Sequence, residues 1–556
     1  MDRRTSRRAV AAAVAVCVAS GAVSCAARPG PPPLVQQEEI EQLDPAATPT
    51  TSAQAPARKS RTQIQVGAEP LRAGLNPHLL SDDTSLVQSI AELALPSAYD
   101  DGVRDPSVIE GATVLATSPD AMTVRYVIRP EAQWSDGTPL TGADFVYLWR
   151  GMSTTPGVIG PAAYQAISAV RVTGPAGKTV DVDFSERIRD WQGLFSALLP
   201  SHLLAADASD FASAAGETLP ASAGRFMVQS VDRGRGTITL NRNDRFWGAD
   251  PARVDVLTIN AVRGTTQIAD QLRSQQLGFV DTIPDETTRD VFDLIPETQV
   301  RPVDGPRTLG VTLSSTSPLL RDIDAREELR SLIDVPLIAR LAAGRSSELA
   351  VAEHTPVTGQ APALLQQRVT ESRPLRVAAD PADPESAAAA RSLVDLLEQR
   401  GVSARVVSTD MQSIVSTGLP SGAVDAVVHW DTGADSSNEL ASRIMCPHDD
   451  YRAGNLSGLC GPETEALAHD ILAGRARGGE ARGTVDNALR GAAVWVPLMH
   501  ERRILALGTG IVGPDADVMN WESGLSTAAS WRVGEGGGAG ATTTTVPAGQ
   551  EEPAQQ

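Results

Sequence analysis

The residues whose chemistry the sequence indicates most directly are two cysteines in its last quarter, Cys446 and Cys460. In an oxidising compartment such a pair forms a disulfide, here closing a loop of about 15 residues and stabilising the fold by about 3 kcal/mol. The alternative is a metal site in which His448 joins both thiols. Structural zinc sites typically contain a C-x-x-C pair, and this spacing is absent. We therefore predict the disulfide and no metal site.

Residue patterns that support catalysis are missing from the sequence. It contains neither an H-E-x-x-H nor a G-x-S-x-G motif, so zinc-protease and α/β-hydrolase sites lack their central residues. Gly177-Lys178-Thr179 resembles the end of a phosphate-binding loop, but Val172 stands where that loop needs glycine. The seven histidines are scattered without ligand spacing. We therefore predict a hairpin turn at Gly177, and a protein that is not an enzyme and uses no cofactor.

Candidate binding residues follow a predicted β-α-β unit in the second half of the chain. The unit has the apolar periodicity of an open parallel sheet and comprises a strand over 375–379, a helix between Asp383 and Gly401, and strands over 402–407 and 425–429. Ligands of such sheets lie beyond the carboxyl ends of the strands. This position directs attention to Trp430 and Asp431.

Two segments in the first half of the chain predict further elements. An Asp-Gly turn at Asp136 follows a strand over 123–128, and Thr141 caps the next helix with Asp144 three residues later, as a capping box requires. Residues 228–240 predict a β-hairpin. Interleaved strands and helices of this kind predict an α/β protein.

Length and charge restrict the class of protein. The chain has 556 residues, which predicts two or three lobes, and its formal net charge at pH 7 is -20. Binding to nucleic acid requires a basic face, so nucleic acid is excluded as the main partner. After the amino terminus, no apolar run approaches the roughly 18 residues of a membrane-spanning helix.

The amino terminus predicts export. Four arginines within residues 1–8 precede an Ala/Val run that ends in small residues, as in a signal peptide over residues 1–24. Ala22-Val23-Ser24-Cys25 resembles a bacterial lipobox, which predicts a lipid on Cys25 and an anchor on the extracytoplasmic face of the cell membrane. The alternative is that Cys25 is an ordinary residue of the signal, and Sec and Tat export both stay open. Residues 25–61 and 534–556 are predicted to be a disordered tether and tail, because their composition cannot form a core.

Several segments, in order, resemble the extracellular solute-binding proteins of family 5, the receptors of oligopeptide, dipeptide and nickel ABC importers. They are Leu75-Asn76-Pro77-His78, Arg129 to Thr141 with Ala143 to Val146, Gly224-Arg225-Phe226, Asn241-Arg242-Asn243 with Phe246-Trp247-Gly248, and Ala325 to Leu329 with Ile333-Asp334. The resemblance implies a periplasmic-binding-protein-like α/β fold (type II, cluster C), in which two lobes are built from three subdomains with mixed sheets. It implies a monomer that binds a solute and releases it unchanged.

The resemblance also implies domain boundaries. Lobe I comprises residues 62–94, 220–300 and 505–533, subdomain II comprises residues 95–219, and lobe III comprises residues 301–504. The signal peptide and tether precede these parts, and the tail follows them.

Further segments resemble one actinobacterial lipoprotein of this family, which is associated with control of phosphatidylinositol mannoside and lipoarabinomannan synthesis and is described as binding a mannosylated phosphatidylinositol. They include Asn76 to Asp82, Leu95 to Ala98, Tyr147-Leu148-Trp149, Pro156-Gly157-Val158 and Asn455 to Cys460. This resemblance implies a small-molecule or glycolipid head-group ligand and a membrane mannosyltransferase as partner. The alternative is a peptide receptor that works with an ABC permease.

The resemblance suggests residues of the ligand cleft. In peptide-binding relatives an Asp shortly after a strand end holds the ligand amine, and this neighbourhood contains Asp431 and Asp435. Sugars bind to aromatic faces, and Trp430 and Tyr99 are the candidates in a chain that is only 4% aromatic. Arg443 can bind a phosphate through two N–H groups. The complete set of cleft candidates is Asn76, Tyr99, Trp430, Asp431, Asp435 and Arg443.

Overall fold

The computed structural model describes residues 59–118, 121–205, 211–354, 361–433, 436–448, 450–521, 523–535 and 538–546. The predicted signal peptide, the predicted lipidation site Cys25 and nearly all of the tether lie outside the described residues, as does Asp435. The described residues belong to one structural unit. None of the described helices is long and apolar enough to cross a bilayer.

Strands form where apolar residues alternate with polar ones, as in the segment 121–128, whose burial alternates residue by residue. The strands are β1 (Lys59–Ala68), β2 (Tyr99–Asp100), β3 (Val103–Arg104), β4 (Ile109–Ser118), β5 (Ala121–Ile128), β6 (Ile167–Thr173), β7 (Thr179–Phe184), β8 (Phe226–Asp232), β9 (Thr237–Arg242), β10 (Val256–Ala261), β11 (Phe279–Thr282), β12 (Gln299–Leu313), β13 (Ala350–Val351), β14 (Leu375–Ala379), β15 (Ala404–Ser408), β16 (Ala426–Thr432), β17 (Trp495–Leu507), β18 (Ile511–Val512), β19 (Arg532–Val533) and β20 (Ala541–Val546).

Helices cover the faces of the sheets and connect their strands. They are α1 (Ser85–Ala94), α2 (Gly142–Thr154), α3 (Ala162–Gln165), α4 (Ser201–Leu204), α5 (Thr265–Arg273), α6 (Thr288–Asp293), α7 (Ile323–Leu332), α8 (Val335–Ala343), α9 (Ala363–Arg368), α10 (Pro384–Gln399), α11 (Met411–Ser413), α12 (Ser437–Ser442), α13 (Pro462–Leu472) and α14 (Gly478–Gly491).

One mixed sheet of twelve strands runs through both lobes. Its order is β15-β14-β16-β12-β17-β11-β1-β10-β9-β8, with β13 beside β17 and β20 beside β1. The predicted boundaries after residues 300 and 504 fall inside β12 and β17, so these two antiparallel strands belong to both lobes. The register of β12 shifts between Asp304 and Thr308, and such a bulge bends a strand where the chain passes from one lobe to the other.

The predicted β-α-β unit is confirmed in lobe III. β14 is parallel to both β15 and β16, and α10 begins with Pro384 in its first turn. Gly401 ends the helical segment with a φ of 74°, a conformation that glycine adopts without the penalty of a Cβ atom.

Subdomain II contains a second sheet with the order β4-β5-β7-β6. The antiparallel pairing of β6 with β7 confirms the predicted turn at Gly177. The predicted capping box is also confirmed, because Asp144 Oδ2 accepts a hydrogen bond of 2.9 Å from the Thr141 backbone N–H. The other carboxylate oxygen of Asp144 accepts from the backbone N–H and the hydroxyl of Ser201, which attaches α4 to the start of α2.

The apolar cores show that the two lobes are in direct contact. One core belongs to lobe III and contains buried residues of β12, β14, β16, α8 and α10. A larger core contains buried residues of lobe I and of subdomain II, and also buried residues of α12, α13 and α14. These three helices follow β16 in the chain, and the disulfide between Cys446 and Cys460 links the segment after α12 to the start of α13. These three helices of lobe III therefore pack against subdomain II and connect the two.

The carboxyl-terminal segment differs from the predicted disordered tail. Residues Ala541–Val546 form β20, which pairs in antiparallel register with residues 59–64 of β1. Its central residues are four threonines, and β-branched residues favour an extended strand despite their polarity. Composition alone overlooked this preference. The same pairing moves the end of the predicted tether from residue 61 to residue 58.

Candidate ligand site between the lobes

The carboxyl end of β16 carries a charged cluster at the boundary of the lobes. Arg443, just after α12, has its Nη2 atom 3.0 Å from Asp431 Oδ2 and its Nη1 atom 3.4 Å from Asp486 Oδ1. All three side chains are only partly exposed to solvent. One guanidinium thus lies between two carboxylates, and we call Asp431, Arg443 and Asp486 the interlobe cluster.

Subdomain II faces this cluster through the segment 157–163. Asn438 of α12 donates from its side-chain amide to the Gly160 carbonyl at 2.6 Å and accepts from the Ala163 backbone N–H at 2.7 Å. Gly160 has a φ of 64°, and a Cβ atom there would be 2.9 Å from the Asn438 amide nitrogen. Ser442 accepts a further hydrogen bond of 3.0 Å from the Ala162 backbone N–H. These contacts hold the lobes together beside the interlobe cluster.

The free space around the interlobe cluster is small. Two cavities of about 30 Å³ each touch Asp431 and Arg443. Ile159 and Gly160 of subdomain II line one of them, and Trp495 and Leu489 line the other. A cavity of this size has room for about two water molecules, so a solute enters only if the lobes separate.

His429, one residue before Trp430, contributes a neutral polar group to both cavities. Its Nε2 atom is 2.9 Å from the Thr312 hydroxyl, and its Nδ1 atom is 2.9 Å from the Trp430 carbonyl. Burial lowers the pKa of His429, and the nearby carboxylate of Asp431 opposes this change only in part. We infer that the imidazole stays uncharged at neutral pH.

The side chain of Trp430 lies away from the interlobe cluster, although Trp430 is adjacent to Asp431 in the sequence. Successive strand residues point to opposite faces, and the indole of Trp430 lies in the core of lobe III. The Arg307 guanidinium lies 5.2 Å from the centre of its ring. The indole N–H is buried without a hydrogen-bond partner among the described residues. Trp430 is thus placed to pack beneath the site, and the prediction of a sugar-stacking role has no support in this geometry.

Two other cleft candidates lie in local structure elsewhere. Asn76 is fully buried, donates to the Phe211 carbonyl at 3.1 Å and accepts from the His78 backbone N–H at 3.2 Å, so it stabilises a turn. Tyr99 packs edge to face against Trp191, with ring centres 5.6 Å apart. The structure therefore brings together Asp431 and Arg443, whereas neither Asn76 nor Tyr99 lines the two cavities beside them.

A buried ionic network at the strands that connect the lobes was missed by sequence reasoning. Arg307 of β12 donates to both carboxylate oxygens of Glu501 of β17, at 2.9 and 2.6 Å. Arg503 of β17 lies 2.7 Å from Asp281 and 2.6 Å from Glu69, both in lobe I. A signal existed in the sequence, because Glu501 and Arg503 occupy alternate positions, and so the same face, of a strand whose residues 495–499 and 504–507 are all apolar.

Further contacts across the lobes surround this network. Arg307 also donates to the Asp83 carbonyl at 2.6 Å, and the Ser85 hydroxyl donates to Glu501 at 3.0 Å. Burial alone would raise the pKa of Glu501, but Arg307 and then Arg503 outweigh it and lower the pKa to about 2. The carboxylate is therefore charged at every physiological pH, and the network is a fixed ionic support between lobe I and lobe III.

Near this network, Glu385 of α10 is a buried acid whose charge is poorly compensated. Burial, and next the adjacent carboxylate of Asp383, raise its pKa from 4.5 to about 7, and Arg345 at 3.7 Å opposes them only in part. One of its carboxylate oxygens has no hydrogen-bond partner among the described residues. Since the folded state holds this proton more tightly than the unfolded state, stability contributed at low pH is lost as the pH rises from 4.5 through about 7.

We expect Glu385→Gln to raise the free energy of unfolding at pH 8 by about 1–3 kcal/mol, because a neutral amide needs no deprotonation in the buried site. At pH 5 the difference should nearly vanish, since Glu385 is then protonated. Urea unfolding at both pH values measures it, with Glu398→Gln on the exposed side of α10 as the matched control. Equal effects of Glu385→Gln at pH 5 and pH 8 would contradict the assignment.

A second and much larger cavity lies outside the predicted site and was also missed. It lies beside α2, has a volume of about 1050 Å³ and is lined by parts of subdomain II together with Gln412 of α11. We call it the α2 cavity. No local sequence pattern predicts it, because the shape of a cavity depends on how side chains that are distant in the chain pack around it.

Comparison with solved structures identifies the class of fold. The Bacillus subtilis oligopeptide-binding protein AppA, solved in complex with a nonapeptide, matches with a TM-score of 0.63 over 86% of this chain and 100% of that chain, at 13% identity. At this identity the match concerns the fold alone. It confirms the predicted two-lobed α/β fold of family 5 binding proteins.

The family itself is established by sequence. The model described as "Bacterial extracellular solute-binding proteins, family 5 Middle" matches residues 107–439, and the chain belongs to this family. Members of this family are binding proteins and not enzymes, and an extracytoplasmic location agrees with its name.

Two curated relatives represent two different ligands. The Mycobacterium tuberculosis protein named "Probable monoacyl phosphatidylinositol tetramannoside-binding protein LpqW" is 29% identical over 78% of this chain and 77% of its own length. The Mycobacterium bovis oligopeptide-binding protein OppA is 30% identical, but only over 31% of this chain and 30% of its own length. The similarity to LpqW thus extends over both lobes, whereas the similarity to OppA covers one part.

Proposed function

We propose that this protein is a lipid-anchored extracytoplasmic receptor that binds the head group of a mannosylated phosphatidylinositol between its lobes and so regulates phosphatidylinositol mannoside and lipoarabinomannan synthesis. The observation that carries the proposal is the 3.0 Å ion pair between Arg443 and Asp431. A peptide receptor needs a carboxylate that is available to the ligand ammonium group. Of the two candidates in that neighbourhood, Asp431 is already neutralised by Arg443, and Asp435 lies outside the described residues.

The same pair fits a head group with hydroxyls and a phosphodiester. Sugar hydroxyls can donate to Asp431, and a phosphate can accept two N–H bonds from the planar guanidinium of Arg443. Asp486 then remains as the second acceptor beside Arg443. The similarity to LpqW over 78% of the chain supports this class of ligand. A membrane mannosyltransferase is the partner that such a role requires.

Import of oligopeptides is the second candidate function. It is supported by the fold shared with the nonapeptide-bound AppA and by the partial similarity to OppA. In that case Arg443 would swing away from Asp431 when a peptide amine arrives, and an ABC permease would be the partner.

The two functions predict opposite results in a thermal unfolding assay. We expect deacylated phosphatidylinositol tetramannoside to stabilise the purified protein, by about 2.7 kcal/mol when its concentration is 100 times the dissociation constant. A mixture of nonapeptides should leave the melting temperature unchanged. Asp431→Asn should weaken head-group binding, and Asp244→Asn, at an exposed position of lobe I, serves as control. Stabilisation by the peptides alone would contradict the proposal and support import.

A further inference from the structure

The α2 cavity has the size and lining of a site for an apolar ligand group. Its volume of about 1050 Å³ is just above the usual range of small-molecule sites, about 300–1,000 Å³. Such sites are mostly apolar with a few placed polar groups. The α2 cavity shows this composition, because the rings of Tyr147 and Phe211 and the side chain of Val146 lie along it and hydroxyl groups lie among them.

The wall of the cavity is built by close packing and not by loose side chains. Phe211 is buried against the backbone of Gly151, where a Cβ atom would come within 2.1 Å of its ring. The ring of Tyr147 lies 5.6 Å from that of Phe211, one helical turn before Gly151. Because residue 151 is glycine, the ring of Phe211 packs directly on the backbone of α2, and the α2 cavity stays open beside it.

The charged groups around the cavity favour an anion at its rim. The carboxylate of Asp144 is occupied by hydrogen bonds from Thr141 and Ser201. Arg150 lies one turn further along α2 from Val146 and is exposed to solvent at the cavity rim. A ligand with an apolar tail and a phosphate thus meets an apolar interior and a cation at the entrance.

The cavity is connected by a short segment to the interlobe cluster. Thr155 and Pro156 line the α2 cavity, whereas Ile159 and Gly160 line a cavity at Asp431. Three residue steps, at most about 10 Å of extended chain, separate Pro156 from Ile159. The two cavities are therefore close enough for a head group and an acyl chain of one molecule to span the distance between them.

We propose that the α2 cavity holds the acyl chain of a monoacyl anionic lipid, with Arg150 facing the phosphate and the head group directed toward the interlobe cluster. The inference rests on the proposed function, because it takes the same glycolipid as the ligand and adds where its tail is held. It explains how a binding protein with little space between its lobes accommodates an acylated ligand.

Binding of lysophosphatidylinositol below its micelle concentration tests the proposal by calorimetry on the purified protein. We expect the affinity to fall about fourfold for each methylene removed as the acyl chain is shortened from sixteen to twelve carbons. Val146→Trp and Ala143→Trp, which place an indole in the cavity, should each lower the affinity at least tenfold. Leu341→Trp, at an exposed position of α8, is the matched control and should change nothing. An affinity that does not depend on chain length would overturn the proposal, even if neither cavity variant folds.

Deacylated phosphatidylinositol tetramannoside separates this inference from the proposed function. Suppose that the deacylated head group binds wild type and both cavity variants equally, and that the acyl chain of lysophosphatidylinositol adds no affinity. The tail site is then wrong, and the head-group function stands. If lysophosphatidylinositol shows the chain-length dependence but the deacylated head group does not bind, the tail site stands and the head-group function is wrong. Arg150→Gln should weaken lysophosphatidylinositol about tenfold and leave an uncharged monoacylglycerol unaffected.

Discussion

Replacing Arg307 with methionine is expected to lower the free energy of unfolding by about 3–5 kcal/mol, because it leaves a buried carboxylate without its main partner. Arg307 and Glu501 are 2% and 1% exposed, and two hydrogen bonds join them. The guanidinium also bonds to the Asp83 carbonyl of lobe I. Methionine keeps much of the side-chain volume, so the effect isolates the charge and its hydrogen bonds.

The pH dependence of this effect identifies its origin. The pKa of Glu501 is about 2 in the folded protein and 4.5 ordinarily, so its contribution is fully present above pH 4.5 and is lost as the pH falls toward 2. The difference between wild type and Arg307→Met in urea unfolding should therefore shrink in that interval. Arg273→Met, which breaks the exposed pair with Asp270 on α5, should change stability little and is the control.

A double variant separates the loss of a pair from the loss of packing. Arg307→Met combined with Glu501→Leu removes both charges, and it should recover much of the stability that the single change removes. A double variant as unstable as Arg307→Met alone would show that packing of Arg307 on Trp430, and not the ion pair, carries the effect.

Much of the fold was predictable because its signals are local. The apolar periodicity and end signals of residues 375–432 predicted β14, α10, β15 and β16 within a few residues. The capping box at Thr141 and the hairpin over 228–240 depend on neighbouring residues and were predicted equally well. The strand at 541–546 was not, because threonines count as polar in a composition argument while their branching favours strands.

The candidate site was predictable only in part. Asp431 was predicted from its place at a strand end and from the family resemblance, and Arg443 from the ability of its guanidinium to bind a phosphate; the two side chains lie 3.0 Å apart. It could have shown that Trp430 and Asp431 point to opposite faces of β16, since strand residues alternate. The pairing of Arg307 with Glu501 joins residues 194 positions apart, and no local pattern contains that information.

Closure of the lobes is expected to depend on one side chain that joins α12 to subdomain II. Asn438→Leu removes the donor to the Gly160 carbonyl and the acceptor for the Ala163 N–H, and leaves both backbone groups unpaired in the closed interface. Each unpaired buried group costs about 1–3 kcal/mol, so the closed form should lose about 2–6 kcal/mol relative to an open form, in which water reaches both groups. The apolar leucine side chain also cannot replace the Asn438 amide beside Gly160 unless the neighbouring residues shift.

This change should appear as a larger radius of gyration in small-angle X-ray scattering and as an affinity for the head group that is lower by about 30-fold or more. The melting temperature of the free protein should change little, because each lobe keeps its own apolar core, whereas the affinity should fall clearly. Asn487→Leu, at an exposed position of α14, is the matched control. If Asn438→Leu leaves both the radius of gyration and the affinity unchanged, the hydrogen bonds of α12 do not control closure, and the apolar packing of α12 to α14 on subdomain II must hold the lobes together by itself.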